Sequence, residues 1–178
     1  MTPPPVTAAE LSSAIRNVAD FPQPGVQFKD ITPVLANARL LSGCIDLLIG
    51  SWQPGEVDAV VGIDARGFIF AAAVAVRLGA GFVPVRKQGK LPYLTHEQSY
   101  ELEYGSNTMA VHQDAFAPGS RVLLIDDLLA TGGTAAAAAD LVQMAGGRIL
   151  EIGFFIELSF LTGRDKLQAY PVRSLVTY

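Results

Sequence analysis

Apolar residues Leu11, Ile15 and Val18 recur at helical spacing behind Thr7-Ala8-Ala9-Glu10, where a hydroxyl and a carboxylate three residues apart match a capping box. This pattern predicts a helix that stops near Asp20. Two prolines and a glycine in Phe21-Pro22-Gln23-Pro24-Gly25 then dictate an irregular segment, expected to continue through Asp30. A second helix is expected over residues 38–49, with Gly50 beyond its end. From there the rhythm changes. Apolar runs at 58–63, 81–85, 121–125 and 149–156 read as strands, and 67–78 and 133–144 as helices. A short helix fits 161–169 and a last strand 172–176. Continuous apolar strands alternating with helices predict an α/β fold, its mainly parallel central sheet flanked by helices on both faces. With no repeat and no linker, residues 1–178 read as one domain.

The alternation breaks between Arg86 and Gln113. Residues 87–98 mix glycine, proline and polar side chains over a length unusual for a compact-domain connection, so a lid or binding loop is expected there. Tyr100-Glu101-Leu102-Glu103 and Thr108-Met109-Ala110-Val111-His112 flank Tyr104-Gly105-Ser106-Asn107 as the arms of a hairpin. Composition adds limits. Hydrophobic residues make up 50% of the chain, which excludes disorder, and 13 basic against 17 acidic residues give a net charge of −4. No Lys/Arg cluster exceeds Arg86-Lys87 with Lys90, so nucleic acid is not an expected partner and any anion must be gripped locally. The single Cys44 excludes an intrachain disulfide and suits a reducing compartment. The apolar run from Gly67 to Val76, bracketed by Arg66 and Arg77, is about half a membrane span. MTPPPVT lacks the basic and apolar regions of a signal peptide, so a cytoplasmic protein without membrane contact is expected.

The strongest chemistry lies in Val122-Leu123-Leu124-Ile125-Asp126-Asp127-Leu128-Leu129-Ala130-Thr131-Gly132-Gly133-Thr134. An apolar strand is expected to end there in two carboxylates, ahead of a helix opened by small and hydroxylated residues. In an open α/β sheet ligands bind outside the carboxyl ends of the strands. Ala130 to Thr134 offers backbone N–H groups, two glycines that let a ligand approach, two hydroxyls and the positive end of a helix, which together make a phosphate cradle. The helix dipole contributes only ~0.3–2 kcal/mol, so the amides and hydroxyls must carry most of the grip. Asp126 and Asp127 cannot hold phosphate. Two like charges about 4 Å apart repel by roughly 4 kcal/mol at an effective dielectric of about 20, so something must reward keeping them adjacent. Vicinal ribose hydroxyls or a divalent cation would do so. The segment lacks the Gly-Lys-[Ser/Thr] ending of a Walker loop and the dinucleotide glycine pattern.

Asp126-Asp127-Leu128-Leu129-Ala130-Thr131-Gly132-Gly133-Thr134 resembles the phosphoribosyl-diphosphate signature of the type I phosphoribosyltransferases. The resemblance implies the fold of that family, with a small N-terminal hood over about residues 1–35 and a flexible hairpin loop over about 87–112. It implies that Asp126 and Asp127 hold the ribose hydroxyls and that Ala130, Thr131, Gly132, Gly133 and Thr134 wrap the 5-phosphate. It also implies Mg2+ bound through the diphosphate of the substrate rather than caged by protein.

Three further segments resemble the adenine-specific branch of the family. Phe21-Pro22-Gln23-Pro24-Gly25-Val26-Gln27-Phe28-Lys29-Asp30-Ile31-Thr32-Pro33 would cap the base. Phe28 would stack on it, a contact worth on the order of 1–3 kcal/mol, while the Gln27 backbone reads the amino edge of adenine. The branch usually has an apolar residue at Gln27 and arginine at Lys29. Gly62-Ile63-Asp64-Ala65-Arg66-Gly67-Phe68 would bind diphosphate through Ala65 and Arg66 around a strained non-proline peptide, with Arg66 also lining the base site. Val85-Arg86-Lys87-Gln88-Gly89-Lys90-Leu91-Pro92 would bring Arg86, Lys87 and Lys90 to diphosphate in a homodimer, and Glu101-Leu102-Glu103-Tyr104-Gly105 would supply Glu103 as the catalytic carboxylate.

These assignments imply an enzyme of purine salvage that transfers the 5-phosphoribosyl group from phosphoribosyl diphosphate to adenine, giving AMP and diphosphate. Ala130 carries a methyl group where relatives acting on hypoxanthine or guanine place a carboxylate beside the imidazole side of the purine. That favours adenine and moves the acid–base work to Glu103, which would take the proton the purine sheds. Two alternatives stay open. The acceptor could be xanthine or another 6-oxopurine, or the chain could be a non-catalytic sensor of phosphoribosyl diphosphate, against which its negative charge counts.

Overall fold

The capping box forms as predicted, but the helix behind it is short. In this computed structural model, which describes residues 4–101 and 106–178, the Thr7 hydroxyl accepts from the Glu10 N–H at 3.2 Å and the Glu10 carboxylate accepts from the Thr7 N–H at 3.0 Å. Helix α1 (Ala8–Ala14) then stops well before Asp20. Val18 lies instead in strand β1 (Arg16–Ala19), which pairs antiparallel with β2 (Gln27–Asp30), so the stretch expected to be irregular closes a hairpin. Its turn is tied by the Asp20 carboxylate, which accepts from the Gly25 N–H at 2.7 Å, and Gly25 has a φ of 86° that suits glycine. Val18 fits helical spacing and a strand equally well; the cross-strand pairing of backbone groups decides for the strand.

The chain divides into two compact units, Met1–Gly50 and Ser51–Tyr178. The first includes α2 (Thr32–Leu35) and α3 (Ala38–Ile49) as well as α1 and the β1–β2 hairpin. Arg39 of α3 pairs with Glu10 of α1 at 2.5 Å, and Gly43 of α3 packs on Val6 so closely that a Cβ would not fit.

The second unit holds strands β3 (Ala59–Ile63), β4 (Gly81–Lys87), β5 (Thr95–Glu101), β6 (Ser106–His112), β7 (Arg121–Leu129), β8 (Arg148–Glu157) and β9 (Val172–Thr177). They form one seven-stranded sheet in the order β5-β6-β4-β3-β7-β8-β9. Neighbours from β4 to β9 in that order are parallel, while β6 is antiparallel to both β4 and β5. The mainly parallel α/β sheet expected from the apolar runs is the one observed. Residues 95–98, expected in a loop, are strand because β5 pairs along its whole length with β6. In place of one short helix over 161–169 there are two 3-10 helices, Ser159–Leu161 and Gly163–Leu167. Among the described residues no helix is long and apolar enough to cross a membrane.

Helices α4 (Gly67–Leu78) and α5 (Gly133–Met144) cover opposite faces of this sheet. Successive strand side chains point to opposite faces. Val61 and Ile63 of β3 and Val122 and Leu124 of β7 join Ala135, Ala138, Leu141 and Val142 of α5 in one core. Gly62, on the other face of β3, meets α4 so closely that a Cβ would lie 2.8 Å from the Ala71 methyl. Small residues let each helix settle onto the sheet, which fixes where its first turn sits. From β3 the chain crosses to β4 on one side, and from β7 to β8 on the other, so the topological switch point lies between β3 and β7.

Asp58 anchors the opposite end of these two strands. Its carboxylate accepts from the Arg121 backbone N–H at 2.7 Å and from Arg121 Nε at 3.0 Å, while Arg121 Nη2 also donates to the Gly55 carbonyl at 2.7 Å. Hydrogen bonds from the Arg121 side chain and backbone lower the Asp58 pKa from 3.8 to about 2. A folded value below the unfolded one gives stability that is present above the unfolded pKa and lost as pH falls through the folded one. Asp58→Asn is therefore expected to lower the melting temperature at neutral pH. The difference from wild type should shrink between pH 3.8 and about 2, as melting curves across that range would show. An equal difference at every pH would refute this account.

Candidate active site

Two strand-to-helix turns meet at the switch point. One carries Asp64, Ala65 and Arg66 from β3 into α4; the other carries Ala130, Thr131 and Gly132 from β7 into α5. A cavity of about 440 Å³ lies there, walled also by Lys87 of β4 and by Tyr100, Asn107 and Met109 of the hairpin.

The carboxylates stand within a strand rather than at its end. β7 continues past Ile125 to Leu129 because Asp126, Leu128 and Leu129 pair with Phe154, Ile156 and Glu157 of β8. Asp127 is 7% exposed, and Asp126 is partly buried beside it, its Oδ1 accepting from the Asp127 N–H at 2.9 Å. Arg66 reaches across from the start of α4 and sets its Nη2 2.7 Å from Asp127 Oδ2. Loss of water, and then the charge of Asp127, push Asp126 well above the usual carboxylate range. Loss of water raises Asp127 too, against the pull of Arg66. Gly67 makes this closeness possible: a Cβ there would lie 2.5 Å from Asp126 Oδ1 and 3.1 Å from the Ile125 carbonyl oxygen.

The turn into α5 has the features of an anion site. Gly132 caps the helix at a φ of 77°, and the first backbone bond of the helix runs from the Ala136 N–H to the Gly132 carbonyl at 2.9 Å. The N–H groups of a helix's first turn have no partner within the helix. The Thr134 hydroxyl donates to the Tyr100 phenol oxygen at 3.0 Å, tying the hairpin to this turn.

The cavity brings together most of the residues singled out from the sequence. Asp126, Asp127, Ala130, Thr131, Gly132 and Thr134 line it with Ala65, Arg66 and Lys87, while Gly133 is buried at the start of α5. Arg86 turns instead to Asp64 at 3.2 Å and to the Lys90 carbonyl at 3.0 Å, and neither Arg86 nor Lys90 is part of the lining. The Asp64–Ala65 peptide is the non-proline bond expected to be unusual, and it is cis. Gln27 and Phe28 lie in β2 of the N-terminal unit, where Phe28 meets Phe21 edge-on with ring centroids 5.1 Å apart. Glu103 lies outside the described residues. Asp64, Tyr100, Asn107 and Met109 also line the cavity and are not among the site residues expected from the sequence. Only Asp64 carried a signal, a carboxylate between a strand and a helix. Among the described residues no group of three or more His, Cys, Asp or Glu side chains is placed to hold a metal ion.

The family model described as "Phosphoribosyl transferase domain" matches residues 29–175. An adenine phosphoribosyltransferase of Chloroflexus aurantiacus is 56% identical over 173 residues, which span 97% of this chain and 100% of the relative. The chain belongs to the adenine phosphoribosyltransferase family. Among solved structures, the adenine phosphoribosyltransferase of Rhodothermus marinus matches with a TM-score of 0.90 at 51% identity, covering 96% of this chain and 98% of that one. The adenine phosphoribosyltransferase of Saccharomyces cerevisiae, complexed with an imino-altritol bisphosphate and adenine, matches at 0.89 and 42% identity, covering 94% and 97%. The fold is thus the type I phosphoribosyltransferase fold, and the cavity lies at its switch point.

Proposed function

We propose that this chain transfers the 5-phosphoribosyl group of phosphoribosyl diphosphate to adenine, giving AMP and diphosphate in purine salvage. The observation that carries this reading is the cavity itself, where a carboxylate pair stands beside an amide-rich helix start in a chain 56% identical to an adenine phosphoribosyltransferase. The carboxylates need hydrogen-bond donors, and the helix start needs an anion. A ribose bearing a 5-phosphate supplies both.

In this reading Asp126 and Asp127 accept hydrogen bonds from the ribose hydroxyls, and residues 130–134 wrap the phosphate. Ala65, Arg66 and Lys87, with Arg86 and Lys90, meet the diphosphate. Gln27, Phe28 and Arg66 serve the adenine. The bond from ribose C1′ to diphosphate breaks through a cation-like transition state as a purine nitrogen attacks, and Glu103 takes the proton that the purine sheds. Mg2+ carried on the diphosphate would offset charge on the leaving group. Ile69, Val76 and Phe82, 42%, 81% and 37% exposed on α4 and β4, support a homodimer, and we place it in the cytoplasm.

The test is a product assay with Mg2+, phosphoribosyl diphosphate and each purine in turn. AMP is expected from adenine, with no nucleotide from hypoxanthine, guanine or xanthine. Turnover of xanthine but not adenine would overturn the acceptor. Tight donor binding without any product would leave a sensor.

Gly67 offers a finer test. Gly67→Ala adds one methyl group to a helix start, where alanine is well tolerated, but it must displace Asp126. Overpacking of this kind costs ~1–3 kcal/mol, so donor affinity is expected to fall roughly five- to a hundred-fold. Calorimetric titration with phosphoribosyl diphosphate, set beside the melting temperature, measures it. Unchanged affinity would show that Asp126 can move without consequence.

A further inference from the structure

Gly163 opens the second 3-10 helix and lies main chain to main chain against the turn between β7 and α5. A Cβ on Gly163 would collide with the Ala130 carbonyl oxygen and stand 3.0 Å from the Gly132 nitrogen. A Cβ on Gly132 would in turn collide with the Gly163 carbonyl oxygen. The two glycines face each other, and each leaves room only for the other's backbone.

The next residue clamps this contact. Arg164 sets Nε and Nη2 each 2.7 Å from a different carboxylate oxygen of Glu157, at the end of β8. Its Nη1 donates to the Val172 carbonyl at 2.9 Å, and the Ser174 hydroxyl donates to Glu157 at 2.6 Å. Glu157 is 5% exposed, and the Arg164 fork holds its carboxyl below the usual range. The same edge is tied to β7, since the Leu158 N–H donates to the Leu129 carbonyl at 2.9 Å. Gly163 is therefore held against the turn by a bidentate ion pair in which an exposed Arg164 grips the buried Glu157 of β8 and the Val172 carbonyl of β9.

We propose that Gly163 and Arg164 are positioning residues for the 5-phosphate: Arg164, forked on Glu157, keeps the Gly163 main chain against residues 130–132 and so sets the aim of the amides that receive the phosphate. The proposal rests on the reading of residues 130–134 as the phosphate site. The backbone amides of the cradle cannot adjust their reach as its Thr131 and Thr134 hydroxyls can, and hydrogen bonds weaken steeply once distance or angle drifts. Gly132, in a left-handed conformation, cannot stiffen the turn from within. The support comes from behind it.

The experiment measures binding of ribose 5-phosphate, and separately of inorganic diphosphate with Mg2+, to the full chain and three variants. Gly163→Ala is expected to weaken ribose 5-phosphate about ten-fold or more, while diphosphate affinity stays within about two-fold. In steady state the KM for phosphoribosyl diphosphate should rise more than kcat falls. Arg164→Lys keeps the charge but loses the fork, so it should weaken ribose 5-phosphate by about three-fold with the same selectivity. It carries the test if Gly163→Ala does not fold. Thr134→Val separates the two levels of the argument. If Thr134→Val leaves ribose 5-phosphate affinity untouched, the phosphate reading fails. If it weakens that affinity while Gly163→Ala and Arg164→Lys do not, the positioning role alone is overturned. Equal weakening of both ligands, in step with a lowered melting temperature, would also overturn it.

Discussion

Replacing Asp126 with asparagine is expected to raise the melting temperature and, in the same variant, to cut affinity for phosphoribosyl diphosphate about ten-fold or more. Burial and the adjacent Asp127 charge hold the Asp126 pKa above its unfolded value, so the fold binds a proton there that the unfolded chain releases. Stability therefore falls as pH rises from the ordinary range near 3.8 through the raised folded value, and above that value the penalty is complete. Asparagine keeps an oxygen that can accept from the Asp127 N–H but carries no charge. A gain of roughly 1–2 kcal/mol at neutral pH is expected, of the size seen when a strained functional group is relieved. Melting curves at several pH values and a donor titration measure both halves. A lower melting temperature at neutral pH, or undiminished donor affinity, would contradict the role given to this pair.

Glu103→Ala is expected to slow AMP formation by roughly 10²–10⁴ while donor affinity stays within about two-fold. The carboxylates of the described cavity lining are all otherwise engaged. Asp64 is engaged by Arg86 at 3.2 Å, Asp127 by Arg66 at 2.7 Å, and Asp126 lies beside Asp127, whose N–H bonds it at 2.9 Å. Ala130 contributes none. The resemblance to the adenine-specific branch assigns the proton of the purine to Glu103, which falls between β5 and β6 in the sequence. Single-turnover rates with adenine, alongside calorimetric binding of phosphoribosyl diphosphate, separate the chemical step from the donor site. Near-normal rates would remove Glu103 from the mechanism.

Sequence periodicity located the parts of the chain whose burial is one-sided or complete. Helices α4 and α5 emerge at 67–78 and 133–144, as predicted, because glycine opens each and apolar residues fill the turns between. It failed where a residue fits two periods or where function breaks the pattern. Leu11, Ile15 and Val18 extend a helical spacing into what pairing makes a strand. Asp126 and Asp127 do not look like strand, yet β7 runs through them since Asp126 and Leu128, on either side of Asp127, pair with Phe154 and Ile156 of β8. The site divides in the same way. The acidic pair and the Thr-Gly-Gly-Thr turn were visible as local chemistry. The contact of Gly163 with Gly132 joins residues far apart in sequence, and nothing in a one-dimensional pattern marks one glycine as the backing of another's turn.

If Arg66 meets the diphosphate as proposed, its ion pair with Asp127 bears on how quickly the site empties. A guanidinium 2.7 Å from a carboxylate already has a counter-ion before any ligand arrives. A diphosphate that recruits Arg66 must compete with Asp127, and a departing diphosphate leaves behind a cation with a partner within reach. Product escape often limits turnover in enzymes that close over their substrates. A resident counter-ion lowers the barrier to that escape, because the charge uncovered by the leaving anion is covered again by the protein itself.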